Sequence, residues 1–212
     1  MHRFNHALTA QSRFRLHRRA TEGLIQFAAM PIEVRRLRDD DELDQYRFAA
    51  AYSFNRPRDE EQASRFRQYY QREGCLGAFE GGRLVAGLAI IPFDQYMLGA
   101  TIPFGGIATV ASLPEYRRGG HVGALLRAAL TEMRAAGQPL SGLYTPHYSL
   151  YRRFGWDIAG RMMSYSFPPK AMKTRLPRPP GSFRRVTAEA WPELATMRDQ
   201  HVRIRNGGLE PY

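Results

Sequence analysis

The fold is decided by the stretch IATVASLPEYRRGGHVGALL, residues 107–126. An apolar, β-branched run ends near Ser112, a short turn with Pro114 and two arginines follows, and an Ala/Leu-rich segment then begins with helical spacing. The first N–H groups of a helix lack intrahelical acceptors and carry partial positive charge, so they can hold an anion. Glycines let a ligand approach the backbone, and arginines add charge-assisted hydrogen bonds. The stretch therefore predicts a phosphate site between a strand and a helix.

The glycines of this turn narrow the kind of phosphate site. No Gly-Lys-Ser/Thr occurs at the turn, which excludes a P-loop, and no Gly-x-Gly-x-x-Gly can be read over residues 119–123, which argues against a dinucleotide fingerprint. The turn resembles the pyrophosphate-binding motif Arg/Gln-x-x-Gly-x-Gly/Ala of the GNAT acetyltransferases. Residues 117–120 match its first four positions, whereas Val122 stands where glycine or alanine is usual. Gly123 comes one residue later and could relieve crowding at the ligand.

The composition is that of a folded globular protein. Its 212 residues, 43% hydrophobic and 12% aromatic, suffice for one domain with a sizeable core and a remainder. No apolar run is long enough to cross a bilayer, so we predict no membrane partner. Cys75 is the only cysteine in the sequence, which rules out an internal disulfide and predicts a reducing, cytoplasmic location. Its position in an apolar run indicates a buried structural thiol.

The charge is strongly basic, with a formal net value of +11. Such a charge can indicate nucleic-acid binding, but the basic residues are spread along the chain without interleaved aromatics, so we predict no nucleic-acid partner. Residues 1–29 hold five of the 31 basic residues and one of the 20 acidic ones, which leaves about +7 on the rest. Met30 reads as a natural start, so residues 1–29 are expected to be a disordered arm or an extension from a misassigned start codon.

Hydrophobic periodicity and turn residues predict an α/β protein with a mixed sheet, an α+β arrangement. The predicted strands cover residues 32–37, 75–79, 84–91, 101–111, 140–144 and one or two runs in 156–167. The predicted helices cover residues 39–54, 59–74, 122–136 and 148–154. Pro92 ends its strand, residues 93–99 form a loop or a continuing ribbon, and residues 105–106 suggest a bulge or a close approach to a ligand. Acids at 39–44 and 59–61 read as helix caps, although they could also attract a cationic amine.

The C-terminal part predicts a second domain. Residues 169–181 are rich in proline and basic residues and read as a linker. Residues 182–212 then repeat the start of the first domain, because FRRV at 183–186 echoes VRRL at 34–37 and a helical segment follows each. One strand and one helix cannot bury a core, so we interpret this segment as the truncated start of a second domain in a longer protein.

A second motif, YRRFGW at residues 151–156, extends the resemblance. It is similar to the Tyr-x-Arg-Phe-Gly-aromatic block of the Eis-like (enhanced intracellular survival) branch of the GNAT acetyltransferases, which also has a tandem layout. The resemblance implies a GNAT acyl-CoA N-acyltransferase fold over residues 30–168, followed by the truncated start of a second GNAT-like domain. It also implies a cytoplasmic N-acetyltransferase that carries an acetyl group from acetyl-CoA to an amine.

The resemblance further implies the roles of individual residues. Tyr151 is the expected general acid, and the expected acceptors are a polyamine or aminoglycoside-like small molecule, or a lysine side chain. The expected acetyl-CoA contacts are Val110, Ala111 and Ser112 for the pantetheine arm, and Arg117, Arg118, Gly119, Gly120, His121, Val122 and Gly123 for the pyrophosphate. The family's proposed base, a far C-terminal carboxylate, is not in this chain, and the family is often oligomeric. No cluster with metal-ligand spacing occurs, so we predict no metal.

The sequence leaves several alternatives open. Tyr151 could be a packing residue, His147 could be a base, and His121 reads as a helix-start residue near phosphate rather than a base. The missing base leaves a non-catalytic CoA-binding module as the second hypothesis. A basic nucleic-acid-binding protein is the third, and salt-sensitive binding that survives substitution of Gly120 would distinguish it.

Overall fold

The computed structural model describes residues 31–161, 163–168, 170, 180–182, 184–205 and 207–211. The predictions on residues 1–29 lie outside this part of the chain, as does most of the predicted linker. Within the described residues, no helix combines the length and the apolar character that crossing a bilayer requires.

One mixed sheet organises the described residues. Its order is β1-β2-β3-β4-β5, with antiparallel neighbours up to β4 and β5 parallel to β4, while β6 pairs with the far half of β3. The strands are β1 (Glu33–Arg36), β2 (Cys75–Glu80), β3 (Arg83–Met97), β4 (Ala100–Ser112), β5 (Leu140–Gly142) and β6 (Gly208–Pro211). Gly81 and Gly82 make the predicted hairpin turn between β2 and β3 at φ of 56° and 81°.

Five α-helices flank or follow the sheet in the described residues. They are α1 (Asp40–Ser53), α2 (Glu60–Tyr69), α3 (His121–Ala135), α4 (Tyr148–Arg152) and α5 (Trp191–Arg203). The acids predicted as caps do cap: Asp39 and Asp59 accept hydrogen bonds from the third residue along, at 2.9 Å each. The second helix ends at Tyr69 rather than at Gly74, and a 3₁₀ turn over Arg72–Gly74 leads into β2.

The core has two parts, one on each face of the sheet. On one face, α1 and α2 bury Leu43, Tyr46 and Phe66 against the strands. On the other face, α3 buries a stripe of apolar side chains at helical spacing: Leu125, Leu126, Ala129 and Met133. Strand β2 is buried on both faces, which explains why its sequence is a continuous apolar run rather than an alternating one.

The third strand continues past Pro92, which the sequence predicts as its end. Strand β2 pairs with β3 only up to Ala89 and β6 pairs with β3 from Phe93 onward, so Pro92 lies between the two partners on that edge. Its missing N–H therefore costs the ladder no hydrogen bond. The ribbon alternative for residues 93–99 is confirmed through Met97.

The bulge is not at residues 105–106. These glycines stand in regular register with Pro92 and Ile91, and the irregularity lies further along β4, where Gly87 faces Ala111 and Ala89 faces Ala108. A side chain at Gly105 would collide with Met133, and one at Gly106 would collide with the Phe93 ring. The glycines therefore serve core packing, and the sequence prediction misplaced the bulge.

The predicted strands in 156–167 and 183–186 are wrong for the described residues. Residues 156–161, 163–167 and 184–186 belong to no strand, and Met163 and Tyr165 are 72% and 74% exposed. An alternating pattern needs a neighbouring strand to form a ladder, and the described residues offer none beside β5. After residue 184, the chain forms α5 and then β6, which pairs with β3.

Candidate functional site

The site begins where β4 loses its neighbour β5. Strand β5 pairs only with Phe104–Gly106 of β4. Beyond Gly106, residues 107–112 of β4 keep β3 on one side, while no strand of the described chain pairs with them on the other. We call this gap between β4 and β5 the wedge. It leaves main-chain groups of β4 available to a ligand. The residues expected to contact pantetheine lie along it, namely Val110, Ala111 and Ser112.

A strained residue marks the middle of this edge. Thr109 has φ of 50°, which is unfavourable for a β-branched residue. Its carbonyl oxygen accepts a hydrogen bond of 2.8 Å from the Tyr46 hydroxyl, and its own hydroxyl donates one of 2.7 Å to the Tyr70 oxygen. Burial raises the pKa of Tyr46 well above its usual value, so this phenol stays a donor. Sequence reasoning missed this network, because its members are distant along the chain.

The end of β4 is tied to both neighbouring layers. The Leu113 N–H donates to the Val85 carbonyl at 2.9 Å, and the Ser53 hydroxyl donates to the Ser112 carbonyl at 3.1 Å. Helix α1 therefore ends beside the last residue of the wedge. A 3₁₀ turn over Pro114–Tyr116 then carries the chain into the glycine-rich turn.

The N-terminal end of α3, which we call its mouth, is open, as an anion site requires. Gly120 precedes the helix at φ of 90°, and no side chain caps the helix. The first helical bond runs from the Ala124 N–H to the Gly120 carbonyl at 3.0 Å, which leaves the N–H groups of residues 121–123 without helical acceptors. Arg117 and Arg118 are exposed beside the mouth and form no ion pair with any described residue.

The two residues that follow Gly120 turn their side chains away from this mouth. The His121 ring is buried at 3% exposure against Glu80, so only its main chain can face a ligand. Val122, the departure from the motif, packs against the core cluster of the α3 face. Its side chain therefore leaves the mouth clear. A side chain at Gly123 would meet Phe154 at 3.4 Å.

Tyr151 lies on α4, the short helix that follows β5. Its ring packs edge-to-face with Trp156 at 6.3 Å between centroids and is 8% exposed. Burial raises its pKa, and a hydrogen bond with the Thr145 side chain opposes that shift. A chain of hydrogen bonds runs from Trp156 Nε1 to Ser141 Oγ at 3.1 Å, and from there to the carbonyl of Gly105 at 2.6 Å. This chain fixes the α4 region to β4.

The structure brings three of the predicted site residues into one apolar cluster, namely Tyr151, Val110 and Val122. Tyr151 also lines an open cavity of about 780 Å³. That cavity is lined by the end of β5 and by residues after it and around α4, including Tyr144, Tyr148, Trp156 and Asp157, and not by the glycine-rich turn. His147 is exposed and lies outside this lining.

The acids near the first two helices are engaged within the protein. Both carboxylate oxygens of Glu42 accept hydrogen bonds from Arg35, at 2.7 and 2.8 Å, and this partner lowers the pKa of Glu42. Asp44 accepts two hydrogen bonds from Arg67, at 2.9 and 3.1 Å. The arrangement supports the structural interpretation of these acids over attraction of a cationic amine.

Cys75 is not a reactive nucleophile. It is fully buried, its thiol donates to the Gln71 carbonyl at 3.3 Å, and burial raises its pKa to about 12. Across the part of the chain that the structure describes, no group of His, Cys, Asp and Glu side chains is arranged to hold a metal ion.

Comparison with known proteins places this arrangement in a family. The model of the acetyltransferase (GNAT) domain matches residues 33–159. An uncharacterized N-acetyltransferase of Streptomyces avermitilis is 28% identical over 126 residues, which are 57% of this chain and 30% of that protein. One of Streptomyces griseus is 31% identical over 84 residues, 39% of this chain and 20% of that protein. The chain thus spans less than a third of the length of these relatives.

Solved structures agree on the fold. A GCN5-related N-acetyltransferase from Kribbella flavida has 29% identity and a TM-score of 0.54, over 59% of this chain and 33% of that one. A probable N-acyltransferase from Enterococcus faecalis V583 has 26% identity and a TM-score of 0.54, over 59% and 32%. Eis1 from Mycobacterium abscessus, at 23% identity and a TM-score of 0.53 over 61% and 32%, shows the fold alone. With its open helix mouth, its wedge and a family match over most of its length, the chain belongs to the GNAT acetyltransferase family.

Proposed function

We propose that this protein transfers an acetyl group from acetyl-CoA to an amine. The observation that carries the proposal is the open mouth of α3, with free N–H groups at residues 121–123, next to the unpaired edge of β4. A diphosphate fits the first feature, because helix N–H groups and Arg117 and Arg118 all favour anions there. An amide-containing chain such as pantetheine fits the second feature, since it can form hydrogen bonds with main-chain groups of Val110, Ala111 and Ser112.

In the proposed reaction, acetyl-CoA supplies a thioester, and a neutral amine forms a C–N bond to its carbonyl carbon while the C–S bond breaks. Tyr151 donates its phenolic proton to the departing sulfur and regains a proton from solvent as the product amine loses one. The raised pKa of Tyr151 keeps the phenol protonated at neutral pH, as an acid requires. A main-chain N–H near Val110 stabilises the charge on the carbonyl oxygen.

We also propose that the protein belongs to the Eis-like branch and accepts polyamine-like or aminoglycoside-like amines, or lysine. The block at residues 151–156 supports this assignment. The proposed division remains residues 1–29 as an extension, 30–168 as the GNAT domain, 169–181 as a linker and 182–212 as the start of a second such domain. Helix α5 supports the last part, because Trp191 and Met197 are exposed as if to pack against a further layer. Homo-oligomerisation of the whole protein belongs to the same proposal.

A CoA-binding protein without turnover is the second candidate. The cavity beside Tyr151 is lined by no histidine, and its carboxylate Asp157 is paired with Arg152 at 3.1 Å. The pKa of Asp157 is lowered mainly by the hydrogen bond that its side chain accepts from the Ile158 N–H, and to a lesser degree by Arg152. None of the described lining residues is therefore suited to take a proton from the attacking amine.

The test follows free thiol released from acetyl-CoA over a panel of amines, with CoA binding measured by calorimetry. Tyr151→Phe is expected to bind CoA as the wild type does and to lose about 100-fold in turnover, the range of general acid catalysis. Tyr148→Phe, a tyrosine on the same helix and in the same cavity, is the matched control and is expected to keep its turnover. Binding without thiol release from any amine would select the second candidate. A wild-type protein that does not bind CoA would eliminate both.

A further inference from the structure

The side chain of His121 has an unusual place for a histidine beside a solvent-exposed turn. It is the first residue of α3, and residues 117–120 before it are exposed, yet its side chain is 3% exposed. Within the described residues, it is the one polar side chain that falls in the buried class. The acetyl-transfer mechanism above does not use its ring.

Both ring nitrogens of His121 face oxygen acceptors. Nε2 lies 2.6 Å from a carboxylate oxygen of Glu80, and Nδ1 lies 3.1 Å from the carbonyl oxygen of Tyr116. A neutral imidazole has one N–H donor, so it can satisfy only one of two acceptors. The arrangement is complete when the ring carries two protons beside an ionised Glu80, or one proton beside a protonated Glu80. In either case the pair holds one proton more than a neutral imidazole beside a carboxylate.

The glycine-rich turn is wrapped around this ring. A side chain at Gly119 would lie 2.6 Å from His121 Cε1, so only glycine allows the turn to pass so close. The ring of Tyr116 meets the His121 ring edge-on, with 6.0 Å between centroids. The shape of the turn is therefore fitted to an imidazole held in one orientation.

The β2–β3 hairpin contacts both His121 and the segment that precedes the glycine-rich turn. Glu80 ends β2, and Arg83, its partner across the turn, pairs with Glu115 at 3.6 Å and lies 5.8 Å from the centroid of the Tyr116 ring. Glu80 thus fixes the histidine, while Arg83 fixes the residues that precede the glycines. The two contacts connect the hairpin to the start of α3.

We propose that His121 is a positioning residue for CoA, acting through the turn and not through contact with the reacting atoms; the proposal rests on the CoA site proposed above. Its ring, held by Glu80 and Tyr116, keeps the turn in the shape that opens the mouth of α3. In that shape Arg118 and Gly120 both adopt positive φ, at 68° and 90°. Both hydrogen bonds require the additional proton, so the affinity for CoA depends on it.

This dependence has a definite sign. Glu80 from β2 and Tyr116 from the segment before the turn contact the ring. Arg83 from β3 and Glu115 form an ion pair beside Tyr116, and Arg117 and Arg118 lie in the exposed turn that leads to the ring. When the pair loses its additional proton at higher pH, one acceptor faces a lone pair and the contact becomes repulsive. The turn then loses one of its two anchors, and CoA binding weakens.

One substitution separates the geometry from the proton. In Glu80→Gln, a neutral His121 can donate from Nδ1 to the Tyr116 carbonyl and accept at Nε2 from the new amide N–H. The ring then keeps its position without the additional proton. We expect this variant to bind CoA with near wild-type affinity at low pH and to lose the weakening at high pH. His121→Phe fills the space but makes neither hydrogen bond, and it leaves the Glu80 carboxylate without its partner.

The experiment measures the dissociation constant for CoA by calorimetry over the range of pH in which the protein stays folded. The wild type is expected to weaken roughly tenfold beyond Glu80→Gln over this range, which corresponds to the loss of one charge-assisted hydrogen bond. Titration of the CoA phosphates is common to all variants and cancels in the comparison. His121→Phe should bind about tenfold more weakly at low pH, while the control His201→Phe, on α5, should match the wild type.

NMR counts the protons without CoA. The ¹⁵N shifts of the His121 ring nitrogens and the ¹³C shift of the Glu80 carboxyl should together report the additional proton at low pH. The ring signals are assigned by their disappearance in His121→Phe, or by a double-labelled sample if that variant does not fold. A neutral ring opposite an ionised Glu80 at the low end of the range would overturn the proposal. Equal pH profiles for the wild type and Glu80→Gln would overturn it as well, while leaving the proposed CoA site standing. A wild type that does not bind CoA would eliminate both.

Discussion

At the scale of single residues, the hydroxyl of Tyr46 supports the strained point of β4. It donates to the carbonyl of Thr109 at 2.8 Å. Tyr46→Phe removes the donor and leaves a partly buried carbonyl unpaired, so we expect a loss of about 1 kcal/mol in the free energy of unfolding, measured by urea denaturation. Tyr52→Phe, an exposed position on the same helix, is the control and should change this free energy little. Equal losses in both variants would contradict the role of the hydrogen bond.

A second residue-scale prediction concerns pH. Arg35 lowers the pKa of Glu42 below its ordinary value, so the pair contributes stability above that ordinary value and loses it as pH falls through the lower pKa of the folded state. Because both side chains are mostly buried, Glu42→Gln should cost about 2 kcal/mol at pH 7 and less in acid, where the wild-type carboxyl is protonated as well. Unfolding by urea at the two pH values measures the difference.

The control for this pair is Glu61→Gln. Glu61 pairs with Arg65 four residues along α2, with both side chains exposed. Such pairs contribute well under about 1 kcal/mol, so this variant should show little change at either pH. A cost for Glu42→Gln that does not change with pH would indicate lost packing rather than a lost charge.

At the scale of elements, the two ends of α3 offer a matched comparison. Gly120 before the helix and Gly137 after it have φ of 90° and 71°, and a side chain at either would meet no atom within 4 Å. Alanine at either position therefore adds only backbone strain, about 1 kcal/mol. We expect the two variants to lose similar stability in thermal unfolding, whereas Gly120→Ala alone weakens CoA binding. Equal binding by both would place the anion elsewhere.

The elements that local sequence decides could be predicted, whereas those that depend on residues distant along the chain could not. The β2–β3 hairpin and α3 follow from local signals, namely paired glycines and an apolar stripe at helical spacing. The continuation of β3 past Pro92 could not be predicted, because it depends on β2 pairing with β3 only up to Ala89 and on β6 pairing with β3 from Phe93 onward. The bulge at Thr109 and the His121–Glu80 contact were missed for the same reason, since each is decided by residues that meet only in the folded chain.

At the scale of the whole molecule, the match to the acetyltransferase (GNAT) domain begins at residue 33. We therefore expect a chain that starts at Met30 to unfold at the same temperature as the full chain and to bind CoA equally well, as measured by thermal unfolding and calorimetry. A lower unfolding temperature would show that residues 1–29 stabilise the domain and would count against their interpretation as an extension.

The left-handed backbone at Thr109 also bears on how this protein would respond to selection. Asparagine and glycine tolerate that conformation better than threonine does. A screen that rewards heat resistance alone should therefore repeatedly recover these two replacements. Because Thr109 lies in the wedge proposed to hold the thioester, the recovered variants should have a higher unfolding temperature but a lower turnover rate. A screen that also rewards turnover should retain threonine.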